Sequence, residues 1–286
     1  MAVEQLFGMP MTEIIKQRRS VRTYIAQPLP PEIKEKLREF FSSLKGPFGR
    51  KVRVNLIETE LARLKSKATL GTYGVIKGAS TYLVALVEKS DHDLENYGYS
   101  LEKVILYATS MGLGTCWLGG TFKKSEFSKA IEQKDQEILP CISPIGYSSS
   151  NTRLLDSAMR FVAGSKNRKK WDELFFSYDF KHHLSESAAG KYLAPLEMLR
   201  LAPSASNKQP WRIVKDGVTS HFYLQHTKGY AKLLANDLQR VDMGIAMCHF
   251  EMTANELGIE GKWVVSDPGN INIPQDTEYI VSWVEG

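Results

Sequence analysis

The sequence predicts an α+β protein made of two copies of one unit, roughly residues 1–178 and 179–286. The first observation is a pattern shared by residues 100–117 and 242–263. Each stretch runs from an apolar helix through an alanine, a glycine four residues later and a Leu or Ile to a tryptophan. A pattern repeated in this order indicates an internal duplication.

Two further matches support the duplication. Residues 37–54 and residues 197–213 both read as helix, loop and strand. The apolar strand predicted at 278–285 corresponds in place and pattern to the one predicted at 138–147. We therefore expect two related units, of which the second is shorter.

Composition limits the class of protein. The chain has 286 residues, 43% of them hydrophobic, and a net charge of +5 from charges of mixed sign. No dense Lys/Arg block with interleaved aromatics and no apolar run of about 18 residues occurs, so neither nucleic acid nor a membrane is an expected partner. The first ten residues lack a signal-peptide pattern, and we expect a soluble cytoplasmic protein.

The cysteines and histidines do not indicate a metal site. Cys116, Cys141 and Cys248 are widely spaced and are expected to be small buried residues. No HxH or HExxH spacing occurs, and His249 lies on an apolar helix face, which favours a packed histidine. No metal ligand is predicted.

The chain opens with a predicted helix over Met11–Tyr24, with Thr12 as its N-cap. Basic residues gather at its end: Arg18, Arg19 and Arg22, with Ser20 between them. A solvated helix end would explain these charges. Planar guanidinium groups also bind phosphate through paired, charge-assisted hydrogen bonds.

The following elements alternate in type. Pro30 and Pro31 suit the first turn of a helix over Glu32–Leu44. After it the sequence predicts a strand at 51–58, a helix at 61–70, a strand at 79–88, a helix at 96–112 and a strand at 138–147. The glycine-rich residues 113–120 follow the third of these helices, and glycine allows a ligand to approach the main chain closely.

The second half centres on Leu201–Trp211, LAPSASNKQPW, predicted as a loop between a helix and a strand. Its hydroxyl and carboxamide side chains suit either a surface turn or hydrogen bonding to a flat polar ligand. Strands are predicted at 263–266 and 278–285.

Three motifs resemble those of the FMN-dependent nitroreductase family. LAPSASNKQPW is similar to that family's APSxxNxQPW loop, RRSVR to its RRSxR signature, and KNRKKWDEL to its KxRxxxxEL segment. The resemblance implies FMN as cofactor, with the loop contacting flavin from the partner subunit. The implied cofactor-binding residues are Arg18, Arg19, Ser20, Arg22, Trp117, Leu118, Gly119, Gly120, Lys166, Arg168, Pro203, Ser204, Ala205, Ser206, Asn207 and Gln209.

The resemblance also implies a role for each group. The arginine motif contacts phosphate, ribityl chain and ring edge, while Lys166 and Arg168 close over the phosphate. Main-chain amides of residues 117–120 reach the N5 edge of the ring. No acid–base role is assigned there, because Leu118 stands where some families have Glu.

The motifs are divided between the two copies. The first carries the basic motifs but has only GPFGRK in place of the polar loop, whereas the second carries the loop but has YDFKHH in place of RRSxR. This partition resembles the fused, single-chain nitroreductase-like subfamily, the putative TM nitroreductase group. It implies a nitroreductase-like pseudo-dimer with mostly antiparallel sheets and one FMN site between the repeats.

The implied function is NAD(P)H-driven two-electron reduction of a small nitro or quinone-like acceptor, with NADH or NADPH as donor and no catalytic side chain, because the flavin carries the redox chemistry. The protein is expected to be a monomer or weak homo-oligomer. Two alternatives stay open: a flavin store or sensor without efficient turnover, and another flavin reaction such as reductive dehalogenation, for which Asp91–Tyr99 is a candidate lid.

Overall fold

The computed structural model describes residues 7–58, 71–149, 167–230 and 236–286. The chain divides into two compact units. We call Gln17–Ala163 the continuous unit, and Met1–Lys16 together with Gly164–Gly286 the composite unit.

The following helices and strands have described bounds. The α-helices are α1 (Met11–Gln17), α2 (Pro31–Ser42), α3 (Asp93–Ser110), α4 (Lys124–Ala130), α5 (Glu186–Ala189), α6 (Leu193–Arg200) and α7 (Leu238–Glu256). The strands are β1 (Val52–Glu58), β2 (Thr81–Glu88), β3 (Gly114–Thr115), β4 (Glu137–Ile138), β5 (Ile142–Gly146), β6 (Phe175–Ser177), β7 (Trp211–Asp216), β8 (Thr219–Gln225), β9 (Gly261–Val264) and β10 (Thr277–Glu285).

The continuous unit contains an antiparallel sheet in the order β1-β2-β5-β3, and β4 pairs with the end of β2. Every residue of β2 except Glu88 is buried, as its continuous apolar run predicts for a central strand. Helix α3 packs on this sheet. Its first turns are buried too, including Tyr97 and Tyr99, so the proposed lid at Asp91–Tyr99 is wrong.

The composite unit contains a second sheet in the order β6-β7-β8-β10-β9. All its pairings are antiparallel except β6 with β7. Helix α7 packs on α6 and on this sheet, and the Asp237 side chain caps it by accepting from the Gln239 amide at 3.0 Å. At α1, Glu256 accepts from the amides of Met11 and Thr12, so a carboxylate from the end of α7 supplies acceptors for amides that have none within that helix.

Most element predictions are confirmed, including mostly antiparallel sheets and three free, buried cysteines. The helix predicted over Met11–Tyr24 is wrong beyond Gln17. The strand predicted at 138–147 is two strands, β4 and β5. Pro140 lies between them and has no amide to donate to a sheet.

Some predictions cannot be compared with described structure. The helix predicted at 61–70 and most of the polar stretch 148–160 lie outside the described residues. The compact units and the predicted repeats divide the chain at different points, because β6 pairs with the strands that follow it in sequence. The repeat boundaries and the duplication stay predictions. No described helix combines the length and apolar composition needed to cross a bilayer.

Candidate functional site

The arginine segment, Arg18–Tyr24, is extended rather than helical. Its backbone pairs with neighbouring chain: the Val21 amide donates to Thr115 O at 2.8 Å, and the Tyr24 amide donates to Lys77 O at 2.8 Å. These pairings replace the hydrogen bonds between residues four apart that a continued helix requires. The segment therefore runs alongside the glycine-rich stretch that follows α3.

Two glycines allow this close approach. A Cβ at Gly114 would lie 2.8 Å from Val21 Cγ2, and a Cβ at Gly78 would lie 2.2 Å from Tyr24 O. Gly78 also has φ +75°, a conformation that side chains disfavour. The arginine segment can lie against this surface because neither position carries a side chain.

Two of the three arginines are held with unsatisfied donors. The Arg18 side chain is only 8% exposed, and its Nε and Nη1 atoms are buried without a hydrogen-bond acceptor among the described residues. Arg22 Nη1 is also buried without a hydrogen-bond acceptor among the described residues. A buried donor without an acceptor costs about 1–3 kcal/mol, and more when charged. Arg19, in contrast, is exposed.

Glu102 links Arg18 to the glycine-rich stretch. This carboxylate is fully buried on α3. Its Oε2 accepts from Trp117 Nε1 at 2.7 Å, and its Oε1 lies 3.8 Å from Arg18 Nε. Sequence analysis missed Glu102, although a carboxylate between Leu101 and Val104 on an apolar helix was a visible signal.

We call residues 112–120 the glycine turn. The Leu118 amide donates to Ile142 O at 2.9 Å and is therefore occupied within the sheet. The amides of Trp117, Gly119 and Gly120 make no hydrogen bond to any described residue. Of the four amides predicted to face a flavin, these three remain as candidate donors.

The polar loop, Pro203–Gln209, joins α6 to β7 in the composite unit, as predicted. Ser206, Asn207 and Gln209 have φ values of 50°, 53° and 49°. Non-glycine residues adopt this left-handed region rarely, and each costs of order 1–3 kcal/mol. Such strain persists only where surrounding contacts fix it, and it gathers at functional sites.

Side chains around the polar loop supply those contacts. Gln209 is 2% exposed; its Oε1 accepts from the Lys169 amide at 2.8 Å, and its Nε2 donates to Asn167 O at 3.1 Å. From α7, Asp242 accepts from the Ala205 amide at 2.9 Å. Burial raises the pKa of the Asp242 carboxyl well above its usual range, although the bond from Ala205 opposes this.

Arg168 also contacts this loop. Its Nη1 donates to Ala202 O at 2.7 Å and to Asn207 Oδ1 at 3.3 Å, and its Nη2 donates to Leu201 O at 2.8 Å. The neighbouring Lys169 has a pKa lowered to about 8, mainly by burial and then by the positive charge of Arg212. Lys166 lies outside the described residues.

The structure therefore brings the predicted residues together in two groups. In the continuous unit, Arg18 and Trp117 meet at Glu102, and Ser20 pairs with Thr115. In the composite unit, Arg168 and the polar loop form one hydrogen-bonded set. Within the described ranges, no three His, Cys, Asp or Glu side chains gather in a metal-binding arrangement.

Comparison with known proteins identifies the class. The model of the family described as putative TM nitroreductase matches residues 10–254, and the chain belongs to this family. A structure of a putative nitroreductase from Thermotoga maritima is 21% identical, with 96% of this chain and 94% of that chain covered and a TM-score of 0.61. This likeness shows that the chain has a nitroreductase-like fold.

Smaller nitroreductases match half of the chain. One, described as a nitroreductase with bound FMN from Desulfitobacterium hafniense, is 20% identical over 50% of this chain and 92% of its own, with a TM-score of 0.41. A nitroreductase family protein from Clostridium novyi is 17% identical over 50% of this chain and 87% of its own, with a TM-score of 0.42. A search of curated proteins found no significant match.

Proposed function

We propose that this protein is an FMN-dependent oxidoreductase that uses NADH or NADPH to reduce nitro or quinone-like acceptors by two electrons. Membership of the nitroreductase family supports an oxidoreductase. The observation that carries the proposal for this chain is a set of buried guanidinium nitrogens, Nε and Nη1 of Arg18 and Nη1 of Arg22, which have no acceptor among the described residues.

These residues fit a flavin nucleotide. Phosphate oxygens are strong acceptors, and charge-assisted bonds to them would satisfy the buried nitrogens of Arg18 and Arg22. The amides of Trp117, Gly119 and Gly120 are donors without partners among the described residues. Because glycine has no side chain, a ligand can approach the main chain closely there. Both features suit a ligand with an anionic end and a polar ring edge.

In this proposal Arg18 and Arg22 hold the phosphate, with Arg19 and Ser20 at the ribityl chain and ring edge. The amides of Trp117, Gly119 and Gly120 orient the ring at its N5 edge, and the polar loop supplies further donors to the ring. When bound, FMN would supply the two-electron redox chemistry between the nicotinamide and the acceptor. The side chains bind and orient, and none is assigned a proton-transfer step.

The test is a spectrum followed by an acceptor screen. The purified protein is expected to carry flavin absorbance or to take up added FMN, and then to oxidise NADH or NADPH when a nitroaromatic or quinone is supplied. No flavin absorbance together with no FMN uptake would contradict the proposal. FMN binding with slow oxidation for every acceptor would instead favour a flavin store or sensor.

A further inference from the structure

We propose that Arg168 is a positioning residue, which holds the polar loop in its strained conformation and does not bind the phosphate of the cofactor. The inference rests on the proposed function, since it concerns how one part of the flavin site is held. It assigns the carboxamides of Asn207 and Gln209 to the same task.

The contacts of Arg168 are with the start of the loop. Its two terminal nitrogens donate to the carbonyls of Leu201 and Ala202, at 2.8 and 2.7 Å. These carbonyls directly follow α6, where the last C=O groups of a helix lack partners within it and carry partial negative charge. A guanidinium fork satisfies two such carbonyls at once, which a single ammonium group cannot do with the same geometry.

The carboxamides face the segment that contains Arg168. Asn207 Oδ1 accepts from Arg168 Nη1 at 3.3 Å, and Asn207 Nδ2 donates to Asn167 O at 2.9 Å. Gln209 is buried and contacts Asn167 and Lys169 on either side of the arginine. Both polar ends of each carboxamide are therefore engaged within the protein.

These contacts hold the residues of the polar loop that have strained backbone conformations. Asn207 and Gln209, two of the three residues of the polar loop with positive φ, have side chains that reach the segment containing Arg168. The Ser204–Ser206 portion lies between them and the carbonyls held by Arg168. Fixing both ends of this short portion holds it in one conformation, which reduces the entropy lost when it binds a ligand.

The test compares FMN with riboflavin, which lacks the phosphate. Arg168→Lys keeps the positive charge and removes the fork. It is expected to weaken the binding of FMN and of riboflavin by the same factor, about tenfold or more, as loss of charged hydrogen bonds predicts. Asn207→Ala removes the side-chain link while leaving the arginine, and is expected to weaken both ligands equally as well.

Arg200→Lys is the matched control. Arg200 lies on α6 and donates to Lys169 O at 3.3 Å and to Glu197, but not to the loop. Its substitution is expected to leave both affinities unchanged. A loss confined to FMN in Arg168→Lys would make Arg168 a phosphate ligand and overturn the proposal, as would no change for either ligand.

Hydrogen exchange distinguishes a failure of this proposal from a failure of the proposed function. In the ligand-free protein, Arg168→Lys is expected to speed amide exchange across residues 201–209, and Arg200→Lys is not. This readout applies even to a protein that binds no flavin. Unchanged exchange in both variants would overturn the positioning role, whatever the outcome of the flavin titrations.

Discussion

Helices α3 and α7 each hold a loop through one buried polar residue. On α3, Asn96 accepts from the Phe48 amide at 3.2 Å and donates to Arg50 O at 2.8 Å. On α7, Asp242 accepts from the Ala205 amide through both oxygens, at 2.9 and 3.1 Å. The two loops occupy the corresponding places that the duplication hypothesis assigns to them. Asn96 thus holds its loop both by accepting and by donating, whereas both contacts of Asp242 with its loop accept from one amide.

The ends of these helices correspond as well. Gly112 and Gly258 have φ values of 76° and 70°, and the residue after each donates to the carbonyl five positions earlier, at 3.0 and 2.9 Å. A tryptophan follows each turn: Trp117 donates to Glu102 at 2.7 Å, and Trp263 donates to Glu251 at 2.8 Å.

The surroundings of the two tryptophans differ. Trp263 lies within β9, whose backbone pairs with β10. Trp117 lies two residues after β3, next to amides that make no hydrogen bond to any described residue, and Oε1 of its glutamate lies 3.8 Å from Arg18 Nε. The chain enters a sheet after the turn in both units. In the continuous unit it leaves the two-residue strand β3 before the tryptophan and there presents candidate ligand donors.

The largest expected difference concerns the two glutamates. Glu102→Gln and Glu251→Gln both keep an oxygen acceptor for their tryptophan. Only the first leaves the buried Arg18 without its neighbouring negative charge, so we expect Glu102→Gln to lower the free energy of unfolding by about 3 kcal/mol. Glu251→Gln is expected to cost less than about 1 kcal/mol. Urea denaturation measures both, and equal losses would contradict the role of Glu102 as a counter-charge.

A smaller effect depends on pH. The pKa of Asp242 is raised on folding, so above pH about 4 the native state binds more protons than the unfolded state. The free energy of unfolding therefore falls as the pH rises above about 4. Asp242→Asn keeps an acceptor for the Ala205 amide and removes the titration. The variant is expected to gain stability relative to wild type as pH rises from 5 to 8.

Urea midpoints at several pH values measure this gain. Asn96→Asp is the matched change in the other helix, and it is expected to introduce the same kind of pH dependence, because Asn96 is fully buried. A stability difference between Asp242→Asn and wild type that does not change with pH would contradict the account of Asp242.

Local patterns in the sequence predicted most elements and the position of the polar loop. Apolar runs predicted strands β2 and β10, and proline and glycine indicated the ends of helices. The arginine segment was missed because its extended form depends on Thr115 and Lys77, which are distant in sequence. Tertiary pairing overrode a local helical pattern there.

The site was predictable in its motifs but not in the contacts of each residue. RRSxR marked two arginines with buried nitrogens that have no acceptor among the described residues. The sequence could not show that Glu102 contacts Trp117, nor that Arg168 and Gln209 use their polar atoms on neighbouring main chain. Such contacts depend on side-chain directions in the folded chain.

The most direct test of the central claim is a titration of the Arg18→Ala/Arg22→Ala double variant with FMN and with riboflavin. If these guanidinium groups bind the phosphate, the dissociation constant for FMN rises by about a hundredfold or more, while the dissociation constant for riboflavin stays the same. The control variant Arg38→Ala removes an exposed arginine and is expected to bind both ligands as tightly as wild type. Wild-type protein is expected to bind one FMN per chain. Wild-type FMN affinity in the double variant would contradict the claim.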